Sequence, residues 1–307
     1  MGGNLSSYVP ARDIPSLAGK VILITGGNTG IGKQMALDLS IHNPAQIWIA
    51  ARNQKTGHAT VEEIKSKAPD VSVHFLKLDL SSFASIKDAA STFLASATRL
   101  DVLTLNAGLM GGQLGKTKEG YEVQFGTMHV GHALLFKLLT PILLKTAEGP
   151  PRADVRVISV SSEGHKYVPK VGIVFESLKT DGAGLKATDR YGQCKLANVV
   201  FAMEVAKRYP QLTTVSLYPG TVKTELFSNS SGSLMIRFIQ FMVQFFGLSI
   251  EDGAKSQLWA ATAEGVVNGQ YYDPVGIPDK ASALAKSDDL GKKLWEWTEK
   301  ELEGQSI

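Results

Sequence analysis

Tyr191-Gly192-Gln193-Cys194-Lys195 separates a phenol from an ammonium by four residues. On a helix that spacing puts both groups on one face, so they can touch a common site. A free tyrosine titrates near pH 10, and a fixed positive charge a few ångströms away favours the phenolate. That would bring the group nearer the range useful for general acid–base work. Tyr-x-x-x-Lys is common on surfaces, so its weight comes from its company. Ser161-Ser162-Glu163-Gly164-His165 follows an apolar run ending at Val160. A Ser162 hydroxyl at the carboxyl edge of a buried strand can donate to a substrate carbonyl oxygen, or it can merely cap a loop.

A third cluster, Thr25-Gly26-Gly27-Asn28-Thr29-Gly30-Ile31-Gly32, stands between the β-branched run Val21 to Thr25 and a helix predicted over Ile31 to Ile41. Glycines at 26, 30 and 32 let the backbone turn sharply and approach a pyrophosphate, whose charge a helix amino end favours. The spacing is G-x-x-x-G-x-G rather than G-x-G-x-x-G, but its place between strand and helix points to a dinucleotide. Gly26, Asn28, Gly30, Ile31, Gly32 and Lys33 are its candidate contacts. The second apolar run closes with Ala50-Ala51-Arg52-Asn53. An acid there would bond a ribose 2′-OH, whereas arginine accommodates a 2′-phosphate. Arg52, with Lys33 and Lys55 nearby, therefore favours NADP(H) as cofactor, the plainer alternative being a solvated strand-end charge. Asn106-Ala107-Gly108 ends the fourth run, where small residues allow a ligand to approach.

The elements that must position these groups are legible as an alternation. Residues 46–50, 71–76, 100–105, 155–160 and 213–218 repeat the buried-strand signal, and 55–67, 83–97, 126–146 and 190–209 have helical spacing. This predicts an α/β fold, a Rossmann-type doubly wound parallel sheet of about seven strands with ligands at the carboxyl ends. Beyond Val222 come an apolar block, a helix over 251–263, a short strand around 270–272 and a polar tail with Trp295 and Trp297. No repeat or second core is evident, so one domain is expected over 1–307. Its parts would be a core over 20–224, a substrate lid over 225–250, and a C-terminal helix, strand and tail over 251–307.

The composition narrows the function classes. The chain has 307 residues, 44% hydrophobic and 20% charged, which fits a globular protein and excludes a disordered one. Thirty-two basic residues against 29 acidic leave a formal charge of +3 with no footprint for nucleic acid. One cysteine, Cys194, excludes an intramolecular disulfide, and the six histidines show no metal-ligand spacing beyond His129 and His132, so no metal is expected. Residues 1–20 lack the apolar core of a secretory signal, which makes a cytoplasmic location the expectation. The block Ser233 to Ile250 is short and carries Arg237, Gln240 and Gln244, so no transmembrane span is expected. The start Met1-Gly2-Gly3-Asn4-Leu5-Ser6 matches a myristoylation pattern at Gly2, which alone would give weak membrane association.

Taken in order, the glycine turn, Asp79, Asn106-Ala107-Gly108, the serine pair, Tyr191 with Lys195, and Pro219-Gly220 resemble the short-chain dehydrogenase/reductase superfamily, from Lys20 to about Thr224. The stretches Tyr121 to Leu135, Ser161 to Lys166 and Tyr191 to Asn198 are similar to its retinol-dehydrogenase-like branch and to fungal secondary-metabolite members. The resemblance implies that Tyr191 exchanges a proton with the substrate oxygen and Ser162 orients the carbonyl. Lys195 would lower the tyrosine pKa and hold the nicotinamide ribose. It further implies Asp79 near the adenine ring, Asn106 near the adenosine ribose, and Val222 with Thr224 at the carboxamide. Phe238, Phe241, Met242, Phe245 and Phe246 follow helical spacing in the segment that covers the substrate in this family, which implies an apolar substrate of polyketide or retinoid type. A homo-oligomer follows only from family habit.

The expected function is therefore hydride transfer between NADP(H) and a carbonyl or secondary alcohol, in secondary-metabolite biosynthesis. A non-redox cyclase, dehydratase or isomerase on the same fold stays open, as does a catalytically silent dinucleotide-binding scaffold, against which Ser162, Tyr191 and Lys195 together argue. One departure stands out. Where the branch reads Asn-His-x-Gly-His, with the asparagine supporting a water that links the active lysine to solvent, this chain reads Met128-His129-Val130-Gly131-His132. A thioether cannot donate, so the relay must be rerouted or lost, with Thr127, His129 and His132 as the candidate substitutes.

Overall fold

The structure, a computed structural model, describes residues 7–110, 114–149, 153–223 and 247–307. The elements named below lie among these residues. Strand β1, Val21–Thr25, is buried at every position, which is why its sequence is continuously apolar rather than alternating. It is an interior strand of a seven-stranded parallel sheet with β2 (Gln46–Ala51), β3 (Ser72–Lys77), β4 (Val102–Leu105), β5 (Arg156–Val160), β6 (Thr213–Leu217) and β7 (Tyr271–Tyr272). The order is β3-β2-β1-β4-β5-β6-β7. The connection reverses direction between β1 and β4, the place where a doubly wound sheet opens a crevice at its carboxyl edge.

The strands' period of two divides the core into two layers. Leu23, Trp48, Leu103 and Val157 face one layer, and Ile22, Ile24, Ile47, Ile49 and Ile158 face the other. Against the second layer pack α2 (Gly30–Ser40) through Met35 and Leu39, α3 (Gln54–Lys67) through Val61 and Ile64, and a later helix, Ile250–Thr262, through Leu258. Helix α1 is a single turn, Pro10–Asp13. Against the first layer lie α4 (Phe83–Ser96), α5 (Val123–Phe125), α6 (Gly131–Glu148) and α7 (Ala187–Arg208). Helix Ile250–Thr262 is α8.

Between α5 and α6 the backbone widens into a π turn over Gly126–Val130, closed by Gly131 N–H on Gly126 O. The helix predicted from 126 therefore begins three residues earlier and carries an inserted turn. The whole run Val123–Glu148 is long and apolar enough to cross a membrane, yet 83% of its most apolar window is buried inside the fold. Its composition answers to the core.

The polar tail is more ordered than its sequence suggests. Asp288–Glu301 forms α9, N-capped by Ser287, whose hydroxyl accepts from Leu290 N–H, with Asp288 and Asp289 in the first turn. Leu290, Leu294 and Thr298 are buried along one face. Trp295 stacks on Phe201 of α7 at 5.6 Å, and Trp297 meets Phe125 and Tyr121 edge-on at 5.7 and 6.1 Å. Gly2, most of the predicted lid including Phe238, Phe241, Met242, Phe245 and Phe246, and Thr224 lie outside the described residues.

Candidate active site

The carboxyl ends of the central strands open onto a cleft of about 480 Å³. Arg52 and Asn28 stand at one end, and Ser162, Tyr191 and Tyr218 at the other. Gly26, Gly30, Ile31 and Gly32 form its floor, and Asn106, Lys195 and Val222 also line it. Two predicted contacts stand off the wall. Lys33 turns to Glu63, with Nζ 2.6 Å from the carboxylate. At the end of β3 the cleft is lined by Leu78 and Leu80, while the Asp79 carboxylate accepts from Ser81 N–H and Oγ–H at 3.0 and 2.7 Å. That local turn satisfies backbone following the strand and holds the carboxylate away from the cleft.

The glycine turn depends on its lack of side chains. Gly26 has φ +66°, and a Cβ on Gly32 would lie 2.5 Å from Asn106 Nδ2 and 2.6 Å from Gly26 O. Thr29 occupies the N-cap of α2 without a side-chain cap bond, and no acid lies in the first turn. The leading N–H groups of an eleven-residue helix are thus left for an anion. Arg52 is exposed at the mouth, and has no ion-pair partner among the described residues. This donor set fits a dinucleotide with a further phosphate at the Arg52 end.

Polar braces that sequence reasoning missed hold the turn. Asn106 Nδ2 donates to Thr25 O at 2.8 Å, and its Oδ1 accepts from Gln257 Nε2 of α8 at 2.8 Å. Thr25 Oγ1 accepts from Asn106 N–H at 2.9 Å and Ala107 N–H at 3.0 Å. Asn28 Nδ2 reaches Thr56 Oγ1 at 2.7 Å. Both ends of the Asn106 amide are thus engaged within the protein. Nothing in the sequence marks Gln257, which lies 151 residues from its partner.

At the other end α7 presents Tyr191 and Lys195 as predicted, with Lys195 Nζ 5.6 Å from the Tyr191 ring centroid. Lys195 Nζ donates to Val160 O at 3.1 Å, beside Asn198 Nδ2 on the same carbonyl, and Ser161 Oγ donates to Lys195 O at 2.7 Å. Ser162 caps a short 3₁₀ turn, Glu163–Lys166. Its hydroxyl oxygen accepts from Gly164 N–H at 3.0 Å, and it lies close enough to Tyr191 to favour the phenolate. Burial pushes Lys195 down to about 8. Burial also pushes Tyr191 up to about 12, against the opposing pull of the Ser162 hydroxyl. The expected depression of the tyrosine is therefore absent from the protein alone, because desolvation outweighs the Ser162 hydroxyl that opposes it.

Met128 sits in the π turn, fully buried. A methyl group added at Gly108 would lie 3.6 Å from Met128 Sδ and 3.8 Å from Lys195 Nζ. Of the three candidate substitutes, the histidines are occupied elsewhere. His132 lies 3.0 Å from Met128 O through Nδ1 and 2.9 Å from Thr25 Oγ1 through Nε2, and His129 Nε2 lies 2.9 Å from Thr298 Oγ1. Burial lowers them to about 4 and about 3, so both are neutral. Thr127 alone of the three lines the cleft, and its buried hydroxyl has no hydrogen-bond partner.

A serine and a tyrosine hydroxyl beside a buried lysine line one end of a long cleft at the carboxyl edge of a doubly wound sheet. The chain belongs to the short chain dehydrogenase family, whose profile matches residues 20–233. It is 34% identical to the short-chain dehydrogenase/reductase drtF of Aspergillus calidoustus, over 96% of this chain and 97% of that one. It is 35% identical to human retinol dehydrogenase 11, over 95% and 88% of the two chains. Among solved structures, an uncharacterized protein of Mycobacterium paratuberculosis superposes with a TM-score of 0.73 at 25% identity, covering 96% of this chain and 97% of its own. The NADP complex of Pseudomonas aeruginosa RhlG shares the fold, with a TM-score of 0.66 at 22% identity over 85% and 96% of the two chains.

Proposed function

We propose that this short-chain dehydrogenase/reductase is NADP(H)-dependent and acts on a carbonyl or secondary alcohol of an apolar substrate, of polyketide or retinoid type. The observation that carries the reading is the single cleft running from the unpaired Arg52 to the Ser162–Tyr191 hydroxyl pair. The cofactor supplies the hydride. The chain's own residues would do the rest. Gly30, Ile31 and Gly32 N–H groups would hold the pyrophosphate, and Arg52 would meet the 2′-phosphate. In the reductive direction Ser162 would donate to the carbonyl oxygen and Tyr191 would give it a proton. Lys195, held by Val160 O, would stabilise the phenolate left behind. The roles carried from the family to Asn106, Val222 and Thr224 remain part of this reading, whereas the Asp79 carboxylate, turned to Ser81, would not reach the adenine ring. So does the division into a core over 20–224, a substrate cover over 225–250 and a C-terminal part over 251–307. The similarity to a retinol dehydrogenase and to a fungal short-chain enzyme supports the apolar substrate and a secondary-metabolite role.

The test is purified protein with NADPH and a panel of hydrophobic ketones, quinones and retinal, followed at the reduced-nicotinamide absorbance band. Turnover of at least one is expected. No turnover with any, despite measurable cofactor binding, overturns the redox reading. Met128 in place of the branch's asparagine favours a second reading, in which the same hydroxyls drive a cyclisation, dehydration or isomerisation. A product at the substrate's own oxidation level, formed without nicotinamide consumption, would establish that instead.

A further inference from the structure

His165 is a fully buried imidazole that the proposed reaction does not use, and it stands three residues beyond Ser162. Its Nε2 accepts from Ser282 N–H at 3.1 Å. A backbone N–H can only donate, so Nε2 carries no proton and the single proton of the neutral ring lies on Nδ1. Nδ1 is 2.7 Å from Ser162 O, to which it therefore donates. The same carbonyl takes the backbone N–H of His165 at 3.1 Å. Burial holds the imidazole pKa below its ordinary value, which keeps this neutral tautomer in place. The Tyr271 ring of β7 packs against it, with centroids 4.7 Å apart. The Ser162 carbonyl is thus pinned from one side, while Gly164 N–H fixes the hydroxyl oxygen from the other. Gly164 N–H takes one lone pair of the hydroxyl oxygen, so its proton and second lone pair remain for Tyr191 and the substrate oxygen.

We propose that His165 is a positioning residue that ties the Ser162 carbonyl to the C-terminal segment at Ser282, so that the serine hydroxyl stays aimed at Tyr191 and the substrate oxygen. The proposal rests on the reading of Ser162 given above. It needs no contact between His165 and the substrate, and it makes the segment around Ser282 part of the scaffold of the catalytic serine, across a sequence separation of 117.

Three variants divide the two bonds. His165→Asn keeps a short donor for Ser162 O and loses the reach to Ser282. His165→Gln keeps an acceptor for Ser282 N–H and loses the donor. His165→Leu loses both and keeps the bulk against Tyr271. The first readout is the Cζ resonance of Tyr191 in protein labelled with ring-carbon-13 tyrosine, assigned by its loss in Tyr191→Phe, which reports the hydrogen bond at the phenol without any substrate. Because the tie needs both bonds, the resonance should move in all three variants, in the direction produced by Ser162→Ala, and furthest in His165→Leu. The second readout is kcat against KM for whichever carbonyl compound of the panel is turned over. A displaced serine should lower kcat by about tenfold to a hundredfold with KM and the NADPH Kd nearly unchanged. If His165→Leu fails to fold, the Asn and Gln pair decides the matter. A native resonance position in either of those two overturns the proposal. If Ser162→Ala leaves both the resonance and kcat native, the reading of Ser162 fails instead.

Discussion

Met128 Sδ and Lys195 Nζ flank one point beside Gly108, 3.6 and 3.8 Å from where a methyl group on that glycine would stand. The family's proton route through this position meets a thioether that cannot donate, while Thr127, one residue earlier in the π turn, offers an unpartnered hydroxyl in the cleft wall. Met128→Asn should therefore change kcat and its pH profile and leave the NADPH Kd within about twofold. A buried amide without partners would cost about 1 to 3 kcal/mol, so thermal unfolding must be recorded on the same sample. An unchanged rate and pH profile in a folded variant would mean that protons already leave by a path independent of this side chain.

Tyr191→Phe deletes the proposed proton donor and leaves the glycine turn intact. The loss in kcat should be about 10² to 10⁴, the span that general acid catalysis contributes, with the NADPH Kd unchanged by fluorescence titration. Equal losses in both would place the phenol in cofactor binding rather than in proton transfer.

Lys195 gives a pH prediction through its burial. Its pKa is near 10.5 in the unfolded chain and about 8 in the folded protein, so between those values unfolding takes up a proton and stability rises with pH. Below about pH 8 both states hold the proton and the burial penalty is fully present. Lys195→Met should therefore stabilise the cofactor-free protein at pH 7, by on the order of 1 to 3 kcal/mol once the lost bond to Val160 O is counted. The gain should shrink toward pH 10, and activity should fall. Urea unfolding of both proteins at pH 7 and pH 10 reads this directly, and an equal difference at the two pH values would contradict it.

On the proposed NADP(H) reading, Arg52 would decide the choice between the two nicotinamide dinucleotides. A charge-assisted contact worth about 1.5 to 3 kcal/mol should make NADPH bind about tenfold to a hundredfold more tightly than NADH, and Arg52→Asp should reverse the order. Lys33 should contribute less, because Glu63 already holds its ammonium at 2.6 Å. Equal native affinities would make Arg52 a solvated charge at the end of β2.

The central strands were legible because both faces of the sheet are covered, so β1, β4 and β5 carry no polar alternation to confuse with helix. Once they were placed, the rule that ligands gather at carboxyl ends located Ser162, Asn106 and the glycine turn together. Three features left no readable trace. The π turn at Gly126–Val130 inserts a residue without disturbing the apolar count. Helix α9 buries one narrow face under an otherwise charged sequence, which reads as a tail. The sign of the Tyr191 shift depended on desolvation, and sequence spacing reports a neighbouring charge but not the loss of water around it.

Two C-terminal helices brace opposite ends of the cleft, and they should be separable. From α8, Gln257 Nε2 donates to Asn106 Oδ1, holding the amide so that Nδ2 stays on Thr25 O above the glycine turn. From α9, Thr298 Oγ1 meets His129 Nε2 beside Met128, in the π turn. Gln257→Leu leaves the partly buried Asn106 Oδ1 without its partner and frees the amide to rotate. That should weaken NADPH binding by about tenfold, one lost hydrogen bond's worth of preorganisation. Thr298→Val keeps the volume and strands His129 Nε2, at a cost of about 1 to 3 kcal/mol in stability, with the glycine turn untouched and the NADPH Kd within about twofold. Calorimetric titration with NADPH and thermal unfolding of both variants test the pair. Equal effects of the two substitutions on cofactor affinity would mean that the braces act as one, through the shared packing of the sheet, rather than each on its own end of the cleft.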